Sequence, residues 1–483
     1  MPAVDALPVA LVTLDLALPS AELPALRRRL ALGRARPVSI TWHDDVDGTL
    51  ARAGLALAAW REGRATTWRV EAIVPTAAHP CPVGAPPPRL AEAPELADLR
   101  GIAMPDRLMP LDRLEGRVRE GLAGHVALRL LEGRGEDGTA VARLQLAGPI
   151  AETTELALAL AGSHRLGVPP RSLPAELLAR AGRPVPPLRL GAPELPAGLP
   201  PGRAFAAAAA HLLAVLLHHA PRAAAGQTGE PVHQMRVALR RLRALVSLFR
   251  PAVGCPELEA VRPGLKALAT ALGPARDWDV FLAGTGRAVA AAFPQEDALA
   301  ALIAAAAARR DTAYAALVPL LDGPALREVA LRTAILVQGR PWEGVVPDGP
   351  ADTASFGDAL LARRLRRVAR RARGIATMPE AALHEMRLEA KRLRYAAEVF
   401  APLHPGRGQR RFLKRLAALQ EALGHLNDGV VATVLMQALA DAGGDGLAGG
   451  LVRGFVAARA TDTRAQVGRA WKRLRKVVPF WQQ

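Results

Sequence analysis

Residues 232–243 read VHQMRVALRRLR, and 151 residues later residues 383–394 read LHEMRLEAKRLR. A chain that repeats a segment at this distance folds into two related units, because each copy has the same apolar stripe to bury. At about 100° per residue, His233, Arg236, Arg240 and Arg243 fall at about 0°, 300°, 340° and 280° on a helix, beside an apolar stripe of Met235, Leu239, Leu242, Val246 and Phe249 at about 160–240°. Extended to Phe249 and Phe400, 7 of 18 positions are identical, the histidine, methionine and phenylalanine among them. Four cations on one side of a helix repel each other, so a sequence that builds the arrangement twice points to a polyanion. The alternative is an internal network in which the cations pair with Asp277, Asp428 or Glu389.

The charge is distributed to match. Of a net +18, residues from Pro201 onward carry 40 Lys and Arg against 23 Asp and Glu, or +17, which leaves +1 for everything before. Arginine dominates, and its planar fork fits phosphate oxygens better than a lysine point charge does. Aromatic residues make up 4% of the chain, with 2 Tyr, too few for the stacking platforms of single-strand binders; no sequence-specific nucleic-acid recognition is expected. Cys81 and Cys255 are far apart and offer no metal-site spacing. The N-terminus lacks a basic n-region, so no secretory signal is expected. The apolar run from Ala204 to Ala220, interrupted by His211, His218 and His219, is expected to be too short and too polar to span a bilayer. A soluble, cytoplasmic protein without membrane association is the expectation.

Length and pattern divide the chain into an α+β domain over residues 1–182, a Pro-rich linker over 183–202 and an all-α domain over 203–483, with repeats at about 203–345 and 354–483. Strand-like segments run from Ala10 to Leu18, Val38 to His43, Leu55 to Arg61, Thr66 to Val74, His125 to Glu132 and Ala140 to Leu146, with turns at Asp47-Gly48 and Asp137-Gly138. A helix begins at Ser20 and ends in Arg27, Arg28 and Arg29. The stretch from Cys81 to Pro94 reads as a surface loop. In the helical half the repeat extends beyond the stripe: Phe205 maps to Phe356, Leu265 to Leu416, Leu272-Gly273 to Leu423-Gly424 and Asp277 to Asp428. Four helices per copy are expected.

His233 and His384 have no Cys, Asp or second His four residues on, so a phosphate-donating imidazole or a satisfied buried histidine fits better than a metal ligand. The first helix of the second copy carries Arg363, Arg364, Arg366, Arg367, Arg370, Arg371 and Arg373, whereas the first copy matches only His219 and Arg222 to Arg370 and Arg373. Such a run is either phosphate-binding or a solvated face, and seven arginines cannot all point one way. Lys266 and Lys414 are further candidates to line the site. Asp277 and Asp428 could orient the cations or cap a helix. No Gly-rich phosphate loop, Ser/His/Asp set or acid pair is present in the helical half, and neither a cofactor nor a metal is expected.

These residues resemble the CHAD family, from about Arg203 onward, through His-x-x-Arg-x-x-x-Arg/Lys-x-x-Arg followed by Leu-Gly-x-x-x-Asp in both copies. The resemblance implies two four-helix bundles related by a pseudo-twofold axis and a basic groove that binds inorganic polyphosphate and brings the protein to polyphosphate granules. Carried over, the implied ligands are His233, Arg236, Arg240, Arg243, His384, Arg387, Lys391 and Arg394. From Ala10 to Arg180 the chain is similar to the CYTH family, an antiparallel triphosphate tunnel, through Asp44-Asp45-Val46-Asp47-Gly48-Thr49-Leu50. Where that family has Glu-x-Glu-x-Lys, this chain has Thr13-Leu14-Asp15-Leu16-Ala17. Its later acidic strand reads Arg143-Leu144-Gln145-Leu146-Ala147, and the basic positions fall on Ala58 and Glu71.

Without clustered carboxylates a metal has nothing to organise around triphosphate, so a catalytically dead domain is expected. The leading expectation is non-catalytic polyphosphate binding by a groove lined by the eight stripe residues with Lys266, Arg370, Arg373 and Lys414. A triphosphatase and a scaffold gripping nucleic-acid phosphates are the alternatives. Because its first helix is richer in arginine, the second copy is expected to bind more strongly than the first.

Overall fold

A computed structural model describes residues 11–73, 89–92, 107–343 and 352–482, apart from 184, 196, 197, 227, 461 and 462. Most of the stretch read as a surface loop, Cys81 included, lies outside the described residues, as do the side chains of 425–430 and therefore that of Asp428.

The N-terminal half is one curled antiparallel sheet flanked by short helices. Its strands are β1 (Leu11–Ala17), β2 (Arg36–Asp44), β3 (Leu55–Glu62), β4 (Ala65–Ala72), β5 (Arg89–Glu92), β6 (Met109–Ala123), β7 (Val126–Gly135) and β8 (Ala140–Pro149), in the order β1-β8-β7-β6-β2-β3-β4-β5. The helices are α1 (Leu23–Arg29), α2 (Thr49–Arg52), α3 (Ile150–Ser163) and α4 (Leu173–Arg180). Both expected glycine turns adopt left-handed backbone, at Gly48 (φ 69°) and Gly138 (φ 78°). Two strands differ from the sequence reading. β5 lies inside the stretch read as a loop, and β6, the longest strand, was not expected at all. β6 alternates Leu114 and Val118, both buried, with charged residues, and Arg113, Glu115 and Arg119 mask the period-2 signal while forming ion pairs on its flanks. Opposite each other on β6 and β7, Gly116 and Gly133 let the strands close up: a Cβ on Gly116 would sit 2.2 Å from the Glu132 carbonyl oxygen.

Each face of the sheet has its own core. One buries Leu14, Leu16, Leu144 and Leu146 in a cluster that runs without a break into the helical half. The other buries Val38, Ile40, Trp42, Ala58, Leu114 and Val118 against Leu173, Leu177 and Leu178 of α4.

The helical half begins with α5 (Pro201–Ala224), α6 (Glu230–Val253), α7 (Pro256–Ala271), α8 (Gly273–Phe281), α9 (Arg287–Ala292), α10 (Asp297–Leu321) and α11 (Pro324–Gly339), which form the first copy. The second comprises α12 (Thr353–Arg371), α13 (Glu380–Phe400), α14 (Arg407–Gln437), α15 (Leu447–Ala460) and α16 (Thr463–Leu474). Each copy thus has more helical segments than the four expected. The matched Leu-Gly pairs show one reason. In the first copy Pro274 follows Leu272-Gly273 and begins a new helix at α8, because proline lacks the N–H that would continue α7. In the second copy Leu423-Gly424 has no proline after it and stays inside α14.

By length and composition α5 is apolar enough to cross a membrane, contrary to the sequence expectation, but 67% of its most apolar window is buried inside the domain. It is the central helix of the first copy, packed on α6, α10 and α11. From there α11 reaches the sheet domain through α3 and β1, closely enough that a Cβ on Gly339 would lie 2.5 Å from the Ile150 side chain. The residues read as a linker therefore join two domains that share one core.

Candidate functional site

The two striped segments lie on α6 and α13, and these helices pack against each other. Residues matched by the repeat meet across the contact. The Phe249 and Phe400 rings are 5.5 Å apart, with Phe356 5.1 Å from Phe249 and 6.2 Å from Phe400. Gly357 of α12 makes room, since a Cβ there would stand 2.6 Å from the Phe400 ring. The apolar stripes thus form the seam of a pseudo-twofold arrangement, and the adjoining cationic stripes are carried to the same line.

On that line the matched pair is Arg240 and Lys391. The Arg240 guanidinium lies 5.6 Å from the centre of the Tyr395 ring, within cation–π range. Half-buried, the Lys391 ammonium is held below the usual lysine range by loss of water first and then by Arg387 and Arg240. Among the described residues the charged groups that act on it are cations. Arg241, also half-buried, is lowered by burial, with Glu398 of the other copy opposing and Arg240 and Arg394 reinforcing the shift.

Away from the seam the copies differ. In the first, Arg236 donates to the Ala269 carbonyl of α7 at 3.3 Å and sits in the field of Asp277. Desolvation pushes the Asp277 carboxyl up, while Arg236 and Arg276 pull it down. Of the two roles open to Asp277, capping is not seen, since α8 begins at Gly273 without a side-chain cap, and Asp277 acts on Arg236 and Arg276 through its charge. Burial holds the His233 imidazole below its ordinary value, with Arg276, Arg240 and Arg236 adding to the effect. Arg243 is exposed and, among the described residues, forms no ion pair. Lys266 is exposed on α7 one turn before the carbonyl that Arg236 holds. In the second copy Arg394 donates to Glu398 at 2.5 Å and to Gln420 of α14 at 2.9 Å, so its charge is largely answered. His384 is exposed and Arg387 is partly buried.

The arginine-rich α12 does not join this line. On the α13 side, Arg364 feels Glu389 and Arg371 lies 3.9 Å from Glu385. Arg370 and Arg373 face away from the stripe, into a cavity of about 1500 Å³ between α12 and α16. The sequence reading grouped them with the stripe; the turn of the helix separates them from it. Lys414 is exposed on α14, with no ion pair among the described residues to tie it to either place. Sequence reasoning missed Tyr395, Arg276 and Glu398. Tyr395 and Glu398 have no repeat signal, since their counterparts are Ala244 and Ser247, whereas Arg276 could have been found as the neighbour of the matched Asp277.

In the sheet domain several carboxylates are already engaged. Asp44 accepts backbone N–H groups from Asp45, Leu50 and Ala51 at 2.8–2.9 Å, and Asp45 accepts from Thr49 at 2.9 Å, so the Asp-rich segment closes its own turn. Asp15 is buried beside Arg143, which also binds Glu176 of α4. Burial raises the Asp15 carboxyl, with Arg143 and Gln145 opposing. Glu62 and Glu120 are bridged by Arg129 and Arg36. Among the described residues no group of three or more His, Cys, Asp or Glu is placed to hold a metal ion.

A duplicated all-α domain behind a curled antiparallel sheet defines the class of the protein. Comparison with known proteins places it further. The CHAD domain family profile matches residues 207–437. The CHAD domain from the plant Ricinus communis is 31% identical, over 60% of this chain and 97% of that one, with a TM-score of 0.51. The chain belongs to the CHAD family. PptA from Streptomyces chartreusis (18% identity, 59% of this chain, 100% of that chain, TM-score 0.41) and a candidate adenylate cyclase from Bacillus halodurans (14%, 37%, 92%, 0.24) are too distant to add to what the fold displays. No curated protein matches.

Proposed function

We propose that this protein binds inorganic polyphosphate without catalysis, along the merged stripes of α6 and α13. One observation carries the reading: Lys391 is half-buried against Arg387 and Arg240, and among the described residues the charged groups that act on it are cations. Concentrated positive charge held partly out of water is costly until an anion arrives, and a chain of phosphates supplies one at each step along the seam. Membership of the CHAD family supports the same ligand, since polyphosphate binding is associated with that family. The site is His233, Arg236, Arg240, Arg243, His384, Arg387, Lys391 and Arg394, with Lys266 beside it. The protein would act in the cytoplasm, at polyphosphate granules.

Titration of the full chain with long-chain polyphosphate at increasing salt tests this. Binding should weaken steeply with salt, because each cation that meets a phosphate displaces counterions. Failure to bind at moderate salt, where a basic control protein of equal charge does bind, would sink the proposal. Equal competition by duplex DNA at the same phosphate concentration would favour a general phosphate-backbone scaffold.

The sheet domain supports a non-catalytic reading. The face that a triphosphate tunnel would line with carboxylates is filled by Trp42, Ala58, Leu114 and α4, with Arg143 held by Glu176 and Arg129 by Glu62. Metal-dependent phosphate release from tripolyphosphate, lost on Asp15→Ala, would reverse that reading.

A further inference from the structure

The cavity between α12 and α16 has a composition that polyphosphate binding does not explain. Its rim is cationic: Arg363, Arg366, Arg367 and Arg370 come from α12 and Arg373 from the turn after it, while Arg469 and Lys472 face them from α16 and Arg475 from just past its end, with no acidic residue among the described lining residues. Among the described residues none of these first five arginines, nor Lys472 or Arg475, forms an ion pair, whereas Arg371, on the other side of α12, lies near Glu385. Its floor is apolar, made by Phe412, Trp471, Val477 and Pro479. Three tryptophans of the helical half, Trp278, Trp342 and Trp481, are buried core residues, while Trp471 is partly exposed and lines the cavity.

A bare phosphate chain has no apolar surface and gains nothing from such a floor. A ligand that combines several phosphates with a flat aromatic group matches both parts, with guanidinium forks for the phosphates and an indole face for the ring. At about 1500 Å³ the cavity has room for it. We propose that this cavity binds a nucleoside polyphosphate, with its phosphates on the α12 and α16 cations and its base on Trp471. The site is separated from the stripe by the α12–α13 contact and does not rest on the stripe's ligand.

The test uses the full chain carrying Arg240→Ala and Lys391→Ala, which disables the stripe, and compares magnesium-free ATP with inorganic tripolyphosphate by calorimetry. ATP should bind about tenfold more tightly, the increment expected of one stacked base. Trp471→Leu should bring ATP down to the tripolyphosphate level, and Trp471→Phe should keep most of the preference. Arg370→Ala with Arg373→Ala should weaken both ligands by about tenfold or more. Equal affinity for the two ligands before any cavity substitution, or ATP binding untouched by the paired arginine change, overturns the proposal. If the Trp471→Leu protein does not fold, the arginine pair still decides. Polyphosphate binding that survives Arg240→Ala with Lys391→Ala would count against the stripe reading, while the cavity variants would still decide this one.

Discussion

The two copies of the helical unit share a stripe and differ in what surrounds it. In the first, α5 lies beneath α6, α10 and α11 and is a core helix, so the position matching Arg370 is His219, 7% exposed. In the second, α12 has one face on α13 and another open to the cavity, which leaves room for arginines that the first copy cannot hold. A duplicated sequence can therefore keep a feature at the seam, where both copies see the same environment, and lose it at the periphery, where they do not. This removes the reason for expecting the second copy to bind more strongly, because the extra arginines serve a different place.

Removing the matched residues from both copies at once should have the largest effect. Arg240→Ala with Lys391→Ala is expected to weaken polyphosphate binding on the order of a hundredfold and to lower the salt slope by about 1.4, two phosphate contacts at roughly 0.7 each. A small effect would break the idea of a shared seam. The two copies should then part company at their ends. Arg243→Ala should cost about tenfold in affinity and Arg394→Ala only about two- to threefold, because Glu398 and Gln420 already answer the Arg394 charge. Glu398→Gln should therefore strengthen binding, measured by the same titration; weakening would mean that Glu398 positions Arg394 for the ligand.

Stability should move in the opposite direction from binding. The folded-state pKa of Lys391 lies below its unfolded value, so its charge costs stability at all pH below the folded pKa, and the cost fades as pH rises through it. At neutral pH, Lys391→Met should raise the melting temperature of the ligand-free protein by roughly one or two degrees while weakening polyphosphate binding. A lower melting temperature would mean that the lysine stem contributes packing that outweighs the charge.

The smallest effect concerns pH. His233 is held below its ordinary value by burial and by Arg276, so in the free protein it is neutral at pH 7. A bound anion raises its pKa, and binding must then take up a proton as pH falls between the two values. Affinity should therefore increase by a few-fold from pH 8 to pH 6, less steeply in His233→Ala.

Much of this was legible in the sequence, for identifiable reasons. A 3.6-residue period places Met235, Leu239 and Phe249 on one face of α6 whatever they pack against, and the repeat requires α13 to do the same. The Gly48 and Gly138 turns follow from local backbone chemistry. β6 escaped because Arg113, Glu115 and Arg119 interrupt its alternation with charges whose pairing, Arg113 with Glu115 along the strand and Arg119 with Glu132 of β7, only the extended, paired strand brings about. Tyr395 escaped because a residue without a repeat partner stands out only when Arg240 is seen above it.

The sequence by itself determined that two cationic stripes exist, that each adjoins an apolar one, and that the chain has an arginine-rich helical half, since these depend on local periodicity and composition. Only the tertiary structure decided that the stripes meet at Arg240 and Lys391, that Arg370 and Arg373 face a separate cavity, and that Arg394 is paired with Glu398 while Arg243 forms no ion pair among the described residues. Those outcomes depend on which helix faces pack together, and a charge acquires its role from neighbours that are distant in the chain.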